Sequence, residues 1–401
     1  MRTTWNFHSA GQIVFGDGAV AQVGELIGRL GLSRVLVVAD RRLESAGLVE
    51  QIVRPLDAAG HAVEVFAEGV PEPPVGAAIA AAEQSRKFGP DCVLGLGGGS
   101  NMDLAKIVAL LTSHGGEPKD YFGENRVPGP VVPLVCVPTT AGTGSEVTPA
   151  AVLTDTDAGV KVSTLSEHLR PKLAVVDPLL TLGCPAVVTA DAGIDALTHA
   201  VEAYTSVDFA EFPLPDGERS VYQGHNPLSD AVALEAIALC GQWLAAAVEQ
   251  PDHRTARRQM ALAALLAGLA FSNSGVALVH AMEYPVGAAV HCSHGRGNGL
   301  LLPHVMRFNR PACEARLAEI GQRLGAVQPG VPTAEAADQA IAAVDALRTR
   351  IGVPARLRDL GATADMLPGF AAKAFAIKRV LRVNPRQPTQ EEILEVYRGA
   401  L

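Results

Sequence analysis

The first 180 residues alternate between short apolar runs and longer amphipathic stretches. The runs Val35–Asp40 (VLVVAD), Cys92–Leu96, Val131–Pro138 (VVPLVCVP) and Leu173–Val176 read as buried strands, with shorter strands at Gln12–Phe15 and Val63–Phe66. Between them lie predicted helices: one starting near Gly18, then Leu48–Ala59, Val75–Phe88 and Leu104–Thr112. Apolar strands alternating with helices predict a parallel sheet with helices on both faces. After Pro178 the pattern changes. Ala190–Thr205, Leu228–Ala247, Asp252–Phe271, Cys313–Leu324 and Thr333–Ile351 are Ala/Leu-rich and read as helices. The chain therefore divides into an α/β domain, residues 1–180, and an all-helical domain, residues 181–401. Glu211–Pro227 (EFPLPDGERSVYQGHNP) is a Pro/Gly-rich break between helices, and loops of that length are often functional.

Composition removes several classes of function. A net charge of −9 argues against nucleic acid or an anionic membrane as a partner, and 4% aromatic residues leave little for stacking on bases. The N-terminal MRTTWNFHSAGQIVFG has no apolar signal core, and VVPLVCVP is too short to span a bilayer. The six cysteines form no CxxC pair and sit mostly in apolar runs, which predicts buried free thiols and a cytoplasmic location.

Two glycine-rich turns carry candidate chemistry. Gly97-Gly98-Gly99-Ser100 follows a strand and precedes a helix, where backbone N–H groups and the helix N-terminus favour an anion such as a pyrophosphate. It is not a GxGxxG fingerprint, and a tight strand-to-helix turn is the simpler alternative. Pro138–Glu146 (PTTAGTGSE) again follows a strand and crowds small hydroxyls among glycines. Both turns fall at carboxyl ends of strands, where open α/β sheets bind ligands. Asp40 ends the first clear strand. It is placed to accept from an adenosine ribose diol, favouring NAD over NADP, or equally to cap a helix.

The stretch Asp191–Glu202 (DAGIDALTHAVE) carries Asp195 and His199 four residues apart, on one face of a helix. Further on, His280, His291, His294 and His304 cluster in sequence. One Asp with two or three His is a typical set of ligands for a divalent transition metal. The Asp-x-x-x-His pair alone is more often a solvated pair.

GGGSNMDLAK (Gly97–Lys106), PTTAGTGSEVTP (Pro138–Pro149), DALTHAVEAY (Asp195–Tyr204) and the run from His280 through HGRGNGLLLPHVMRFN (His294–Asn309) together resemble the iron-containing (group III) alcohol dehydrogenases, in the family's order and over most of the chain. The resemblance implies a dehydroquinate synthase-like fold, with the active site in the cleft between an α/β and a helical domain. It implies a divalent metal, usually Fe²⁺ and sometimes Zn²⁺, on Asp195, His199, His280 and His294. His304 is then structural or supporting, and His291 has no assigned part. NAD contacts carried over by motif are Asp40, Gly98, Gly99, Ser100, Thr139, Thr140, Thr143, Ser145, Thr148 and Lys161, with Leu180 and Gly183 in the segment after the last strand. Asp103 belongs to the same set and holds the first turn. The implied reaction is hydride transfer between a small alcohol or aldehyde and the nicotinamide, with the metal as Lewis acid, in a cytoplasmic homodimer.

The chain departs from the family pattern in three places. Many members have a second histidine four residues after the third ligand, where this chain has Tyr284, the candidate catalytic side chain. Glu72 stands where a Pro-Asn-Pro segment commonly has Asn. The Glu211–Pro227 loop is longer than in short members. Its Tyr222–Asp230 motif, with His280–Pro285, resembles the hydroxyacid–oxoacid transhydrogenase branch, which acts on 4-hydroxybutyrate and 2-oxoglutarate. That alternative asks for a cation near the pocket, Arg219 or Arg296, to hold a carboxylate. A lyase on the same scaffold and a non-catalytic metal- and nucleotide-binding protein are the remaining alternatives.

Overall fold

The computed structural model describes residues 2–156, 160–214 and 219–401. They form two compact units, one from Ser9 to Gly183 with residues 219–221, the other from Cys184 onward together with the first eight residues.

The α/β unit is built on a six-stranded parallel sheet. Its strands are β1 (Gln12–Phe15), β2 (Arg34–Val38), β3 (Ala62–Phe66), β4 (Cys92–Gly97), β6 (Leu134–Pro138) and β9 (Leu173–Val176), in the order β1-β9-β6-β4-β2-β3. All six coincide with predicted strands, although β6 begins at Leu134 rather than Val131. The alternation of side chains splits the core in two. Leu36, Val38 and Val93 face α4 (Val75–Phe88) and α5 (Gly99–His114) on one side. Val35, Val37, Leu94 and Leu96 face α1 (Val23–Arg29) and α3 (Leu48–Ala58) on the other. A short helix, α2 (Arg41–Ser45), follows β2. Helix α5 starts five residues before the predicted Leu104, because the glycine turn itself forms its first turn.

A second sheet was not legible in the sequence: β5 (Gly123–Glu124), β8 (Val160–Leu165) and β7 (Ala150–Asp155), with β7 and β8 antiparallel from Ala150↔Leu165 to Asp155↔Val160. Both of its longer strands mix buried and half-buried positions and lack a continuous apolar run.

The helical unit contains α6 (Ala186–Thr205), α7 (Pro227–Glu249), α8 (Arg254–Ser274), α9 (Leu278–Val290), α10 (His294–Arg323), α11 (Thr333–Arg350), α12 (Leu367–Ala376), α13 (Lys378–Leu381) and α14 (Gln390–Ala400). Helix α7 is long and apolar enough to cross a bilayer by length and composition, but it packs against α6 and α8, burying Ala233, Ala236, Ile237 and Cys240. The predicted Cys313–Leu324 helix is the second half of α10, which bends at Cys313 just after Pro311. Helix α9 was missed because Pro285 interrupts its pattern.

The first eight residues belong to this unit through His8, whose N–H donates to Asn273 Oδ1 at 2.6 Å and whose carbonyl accepts from Asn273 Nδ2 at 2.9 Å. The Glu211–Pro227 loop is described except for residues 215–218, which lie outside the described residues. It docks through its backbone: Gln223 N–H to Asn273 O and Gly224 N–H to Ser274 O, both at 3.0 Å. All six cysteines are free thiols, with Cys92, Cys136, Cys240 and Cys313 buried and Cys184 and Cys292 half-buried.

The C-terminal helix α14 starts at a capping box between Thr389 and Glu392. It is anchored by Tyr397, fully buried, whose hydroxyl donates to Met282 O on α9 at 2.6 Å. Tyr397→Phe leaves that carbonyl without this donor in an apolar setting. We expect a loss of about 1–2 kcal/mol in urea unfolding; an unchanged midpoint would mean that the hydroxyl contributes nothing net.

Candidate active site

The two glycine turns emerge from neighbouring strands. Gly97 of β4 is in register with Pro138 of β6, and Thr139 N–H donates to Gly97 O at 3.0 Å. Gly97 has φ 141, and a Cβ there would come within 2.4 Å of Asn101 Nδ2, so this position requires glycine. Gly98 is the N-cap of α5 and offers no side chain, so the helix N-terminus is open to an anion. Thr140 lies against Gly98 and Thr143 against Gly99, which brings the two predicted loops together.

A buried tie fixes the second loop. Lys106 is fully buried and its Nζ donates to Ser145 Oγ (2.7 Å), Thr148 Oγ1 (3.1 Å) and Ala150 O (2.7 Å). Ser145 Oγ donates to Asp103 Oδ1 at 2.6 Å, and Asp103 Oδ2 accepts from Val152 N–H at 3.0 Å. Ser145, Thr148 and Asp103 thus direct their polar atoms into the protein and act as the loop's frame. Lys106 was missed, although it closes the GGGSNMDLAK motif three residues after Asp103.

The other predicted nucleotide positions divide similarly. Asp40 is the N-cap of α2, accepting from the N–H groups of Arg42 (2.9 Å) and Leu43 (3.0 Å), and its second oxygen accepts from Asn101 Nδ2 at 2.9 Å. The capping alternative is therefore realised. Ser100 Oγ accepts from Glu72 N–H at 3.2 Å, and Lys161 forms an ion pair with Glu72 at 2.6 Å. Glu72 adopts φ 52, unusual for a non-glycine residue. Leu180 is buried in the sheet's lower core, and Gly183 is exposed.

In the helical unit, ligand-type atoms of Asp195, His280 and His294 lie within 4.8 Å of one another, all three residues coming from different helices. His199, one turn after Asp195 on α6, sits beside them with Nδ1 3.9 Å from Asp195 Oδ2. Its ring stacks on Phe271 and His280, at 4.2 Å and 4.8 Å between centroids. Burial alone would push the Asp195 carboxyl up. The neighbouring His199, His294 and His280, with a hydrogen bond from Asn298, outweigh it and hold the group below the usual carboxylate range.

Two carboxylates that sequence reasoning missed orient the rings. Glu202 Oε2 pairs with His280 Nδ1 at 2.6 Å, while the same carboxylate accepts from Ala277 N–H (2.9 Å) and Val279 N–H (2.6 Å) at the start of α9. Glu283, fully buried, makes a short hydrogen bond with His294 Nδ1. Each carboxylate accepts a hydrogen bond from Nδ1–H, the tautomer that leaves Nε2 with its lone pair. Their signal was present: Glu202 follows His199 by three residues, and Glu283 follows His280 by three.

The start of α10 is held against α6. Ser293 Oγ makes a short hydrogen bond with Asp191, and Arg296 Nε donates to Asp191 Oδ1 at 3.1 Å. A Cβ on Gly295 would come within 2.0 Å of Asp191 O, so only glycine permits this approach. Tyr284 stacks on His294 at 5.8 Å between centroids and meets His280 edge-on at 6.5 Å. Burial pushes its phenol well above the usual range, so the hydroxyl stays protonated. His291 is apart from the cluster, ending α9 with φ 54. His304 lines a separate cleft with Phe308, Arg386 and Glu392.

The donor set and the glycine turns place the chain among metal-dependent dehydrogenases. The pattern defining the iron-containing alcohol dehydrogenases matches residues 10–178, and that of the family's C-terminal part matches residues 218–401. The chain belongs to the iron-containing alcohol dehydrogenase family and is an NAD-linked alcohol/aldehyde oxidoreductase. It is 36% identical to the NAD-dependent methanol dehydrogenase of Bacillus methanolicus over 99% of this chain and 100% of that protein. It is 38% identical to the 1,3-propanediol dehydrogenase of Citrobacter freundii over 96% of each chain. A crystal structure of a 1,3-propanediol oxidoreductase superposes with a TM-score of 0.93 at 36% identity, covering 99% of this chain and 100% of that one.

Glu146, beside Ser145 and 2% exposed, has its carboxyl pushed by burial from 4.5 up to about 7. A raised carboxyl pKa favours the protonated fold, so this stabilising contribution is complete below pH 4.5 and is lost as pH rises through about 7. Glu146→Gln should match wild type at low pH and gain on it up to neutrality, by about 3 kcal/mol at most. Thermal unfolding from pH 4 to 8 checks this, and parallel Tm profiles would refute it.

Proposed function

We propose that Asp195, His199, His280 and His294 hold a divalent metal, Fe²⁺ with Zn²⁺ as the alternative, and that the turns at Gly97–Ser100 and Pro138–Thr148 hold NAD. The observation that carries this reading is the convergence of one carboxylate and two imidazoles within 4.8 Å, each imidazole backed by its own buried carboxylate. This donor set fits the metal: neutral imidazoles with the Nδ1 proton engaged, and one ionised Asp. When bound, the ion supplies Lewis acidity toward an alcohol or carbonyl oxygen, and the nicotinamide supplies the hydride chemistry.

The protein's own side chains supply orientation and charge. Glu202 and Glu283 fix the tautomer and plane of the two rings. Tyr284, held neutral, offers a hydroxyl as a hydrogen-bond donor rather than a base. The Lys106–Asp103–Ser145 tie keeps the second nucleotide loop in one shape. The relatives' names span methanol, 1,3-propanediol, lactaldehyde and long-chain alcohols, so the substrate class they support is a primary alcohol or its aldehyde, of no fixed chain length. The transhydrogenase alternative asks for a free cation, and Arg296 is committed to Asp191. A cytoplasmic homodimer is the assembly that the family resemblance supports.

The test is an NAD(H) absorbance screen on Fe²⁺- and Zn²⁺-loaded protein with methanol, 1,3-propanediol, lactaldehyde and 4-hydroxybutyrate. Turnover with free NAD(H) is expected for at least one small alcohol or aldehyde, with a loss of at least about 100-fold in His280→Ala. No turnover by the loaded wild type with any of them would sink the reading. In the same assay Tyr284→Phe should retain turnover with a raised KM. Complete loss of turnover, with metal and NAD still bound, would instead assign the phenol a proton-transfer role.

A further inference from the structure

Asn298 lies four residues after His294 on α10, so the two side chains share a face. It is completely buried. Its Nδ2 is 2.8 Å from Asp195 Oδ1, 3.2 Å from His280 Nε2 and 3.1 Å from His294 Nε2. One amide nitrogen therefore faces all three of the clustered atom sets. An amide nitrogen has two hydrogens, so it can serve at most two of the three acceptors at once. The amide oxygen, Oδ1, is also buried and has no hydrogen-bond partner. A half-turn of the amide would set that oxygen against a carboxylate oxygen and two imidazole lone pairs. Repulsion forbids this, so the acceptors fix the nitrogen inward and strand the oxygen.

We propose that Asn298 is a positioning residue for the metal centre. It holds the Asp195 carboxylate by a direct hydrogen bond and gathers the two Nε2 lone pairs on one point before the ion arrives. The Asp195 bond is compatible with metal binding, because a carboxylate oxygen has a second lone pair. The two imidazole contacts are not, because each Nε2 has only one. The Asp195 bond is therefore the contact that favours the ion, while the imidazole contacts hold the rings in the metal-free protein and are given up when it binds. The inference rests on the reading that Asp195, His280 and His294 are metal ligands.

The experiment measures the Zn²⁺ dissociation constant by chelator competition on metal-free wild type, Asn298→Ala, Asn298→Ser, Asn298→Asp and His280→Ala. NADH binding, followed by fluorescence, reports that each variant is folded. Asn298→Ala and Asn298→Ser should bind Zn²⁺ about 10–100-fold more weakly than wild type with NADH binding unchanged. Ser keeps a small polar group and decides the case if Ala fails to fold. Asn298→Asp removes the donor and faces one carboxylate with another, so it should also bind Zn²⁺ more weakly than wild type at neutral pH. Wild-type affinity in the Ala and Ser variants would overturn the proposal while leaving the metal reading intact. Wild-type or tighter affinity in Asn298→Asp would also overturn it, by making the side chain an oxygen ligand. Wild type binding no better than His280→Ala would overturn the metal reading and this inference together.

Discussion

The carboxylate–imidazole pairs behind the metal cluster are the interaction on which the site depends. Asp195, Glu202 and Glu283 are all buried, and burying carboxylates without partners is among the costliest things a fold can do. Each is answered here. Glu202 receives two backbone N–H groups and one imidazole, so a single carboxylate both caps α9 and sets the plane of His280. Glu283 faces His294 across the junction of α9 and α10. Removing either would leave an imidazole free to change tautomer or rotate.

The nucleotide turns use a different device. They sit on adjacent central strands, and the register Gly97↔Pro138 places them side by side. Their polar residues divide into those presented outward and those that brace the loop. Lys106, beneath the loop, satisfies Ser145, Thr148 and Ala150 at once, and burial pushes its ammonium down. A flexible hydroxyl-rich loop would lose entropy on binding a nucleotide; a braced one has already lost it on folding. Asp103, Ser145 and Thr148 turn side-chain polar atoms inward and so build the frame of this loop.

Much of this was legible in the sequence. The six strands of the main sheet are short apolar-rich runs ended by turn signals; β2, β4, β6 and β9 are buried almost throughout, whereas β1 and β3 form the two edges and are largely half-buried. Asp195 and His199 were readable from one helical turn, and His280 and His294 from motif. The rest was hidden for identifiable reasons. β7 and β8 pair with each other at a half-exposed edge, so they carry no continuous apolar signal. Helix α9 contains Pro285, which argues against a helix in isolation, yet tertiary packing and the Glu202 cap hold it. Glu202, Glu283 and Asn298 carry no motif of their own, and their one signal is helical spacing. Each stands three or four residues from a ligating histidine.

The candidate ligands and their partners lie on α6, α9 and α10, and Asp195, Glu202, His280 and Asn298 are fixed by buried hydrogen bonds. The segment from Ser206 to Asn226 is attached differently: its strand-like ends pair with Asn273, Ser274 and Val383 through main-chain atoms. Side chains share in the attachment: Gln223 Nε2 donates to Asn6 O at 3.3 Å and its Oε1 accepts from Asn6 N–H at 3.1 Å, and Gly224, at φ 80 with a Cβ that would come within 2.3 Å of Val207 O, must be glycine. Tyr222, buried against the bare α-carbon of Gly275, projects from that segment. Tyr284, stacked on His294, projects from α9 and is held in its protonated state by burial. The Asp195–His280–His294 cluster is thus fixed by buried polar side chains on three helices, whereas the described ends of the 206–226 segment are fixed by main-chain pairing together with a few side chains.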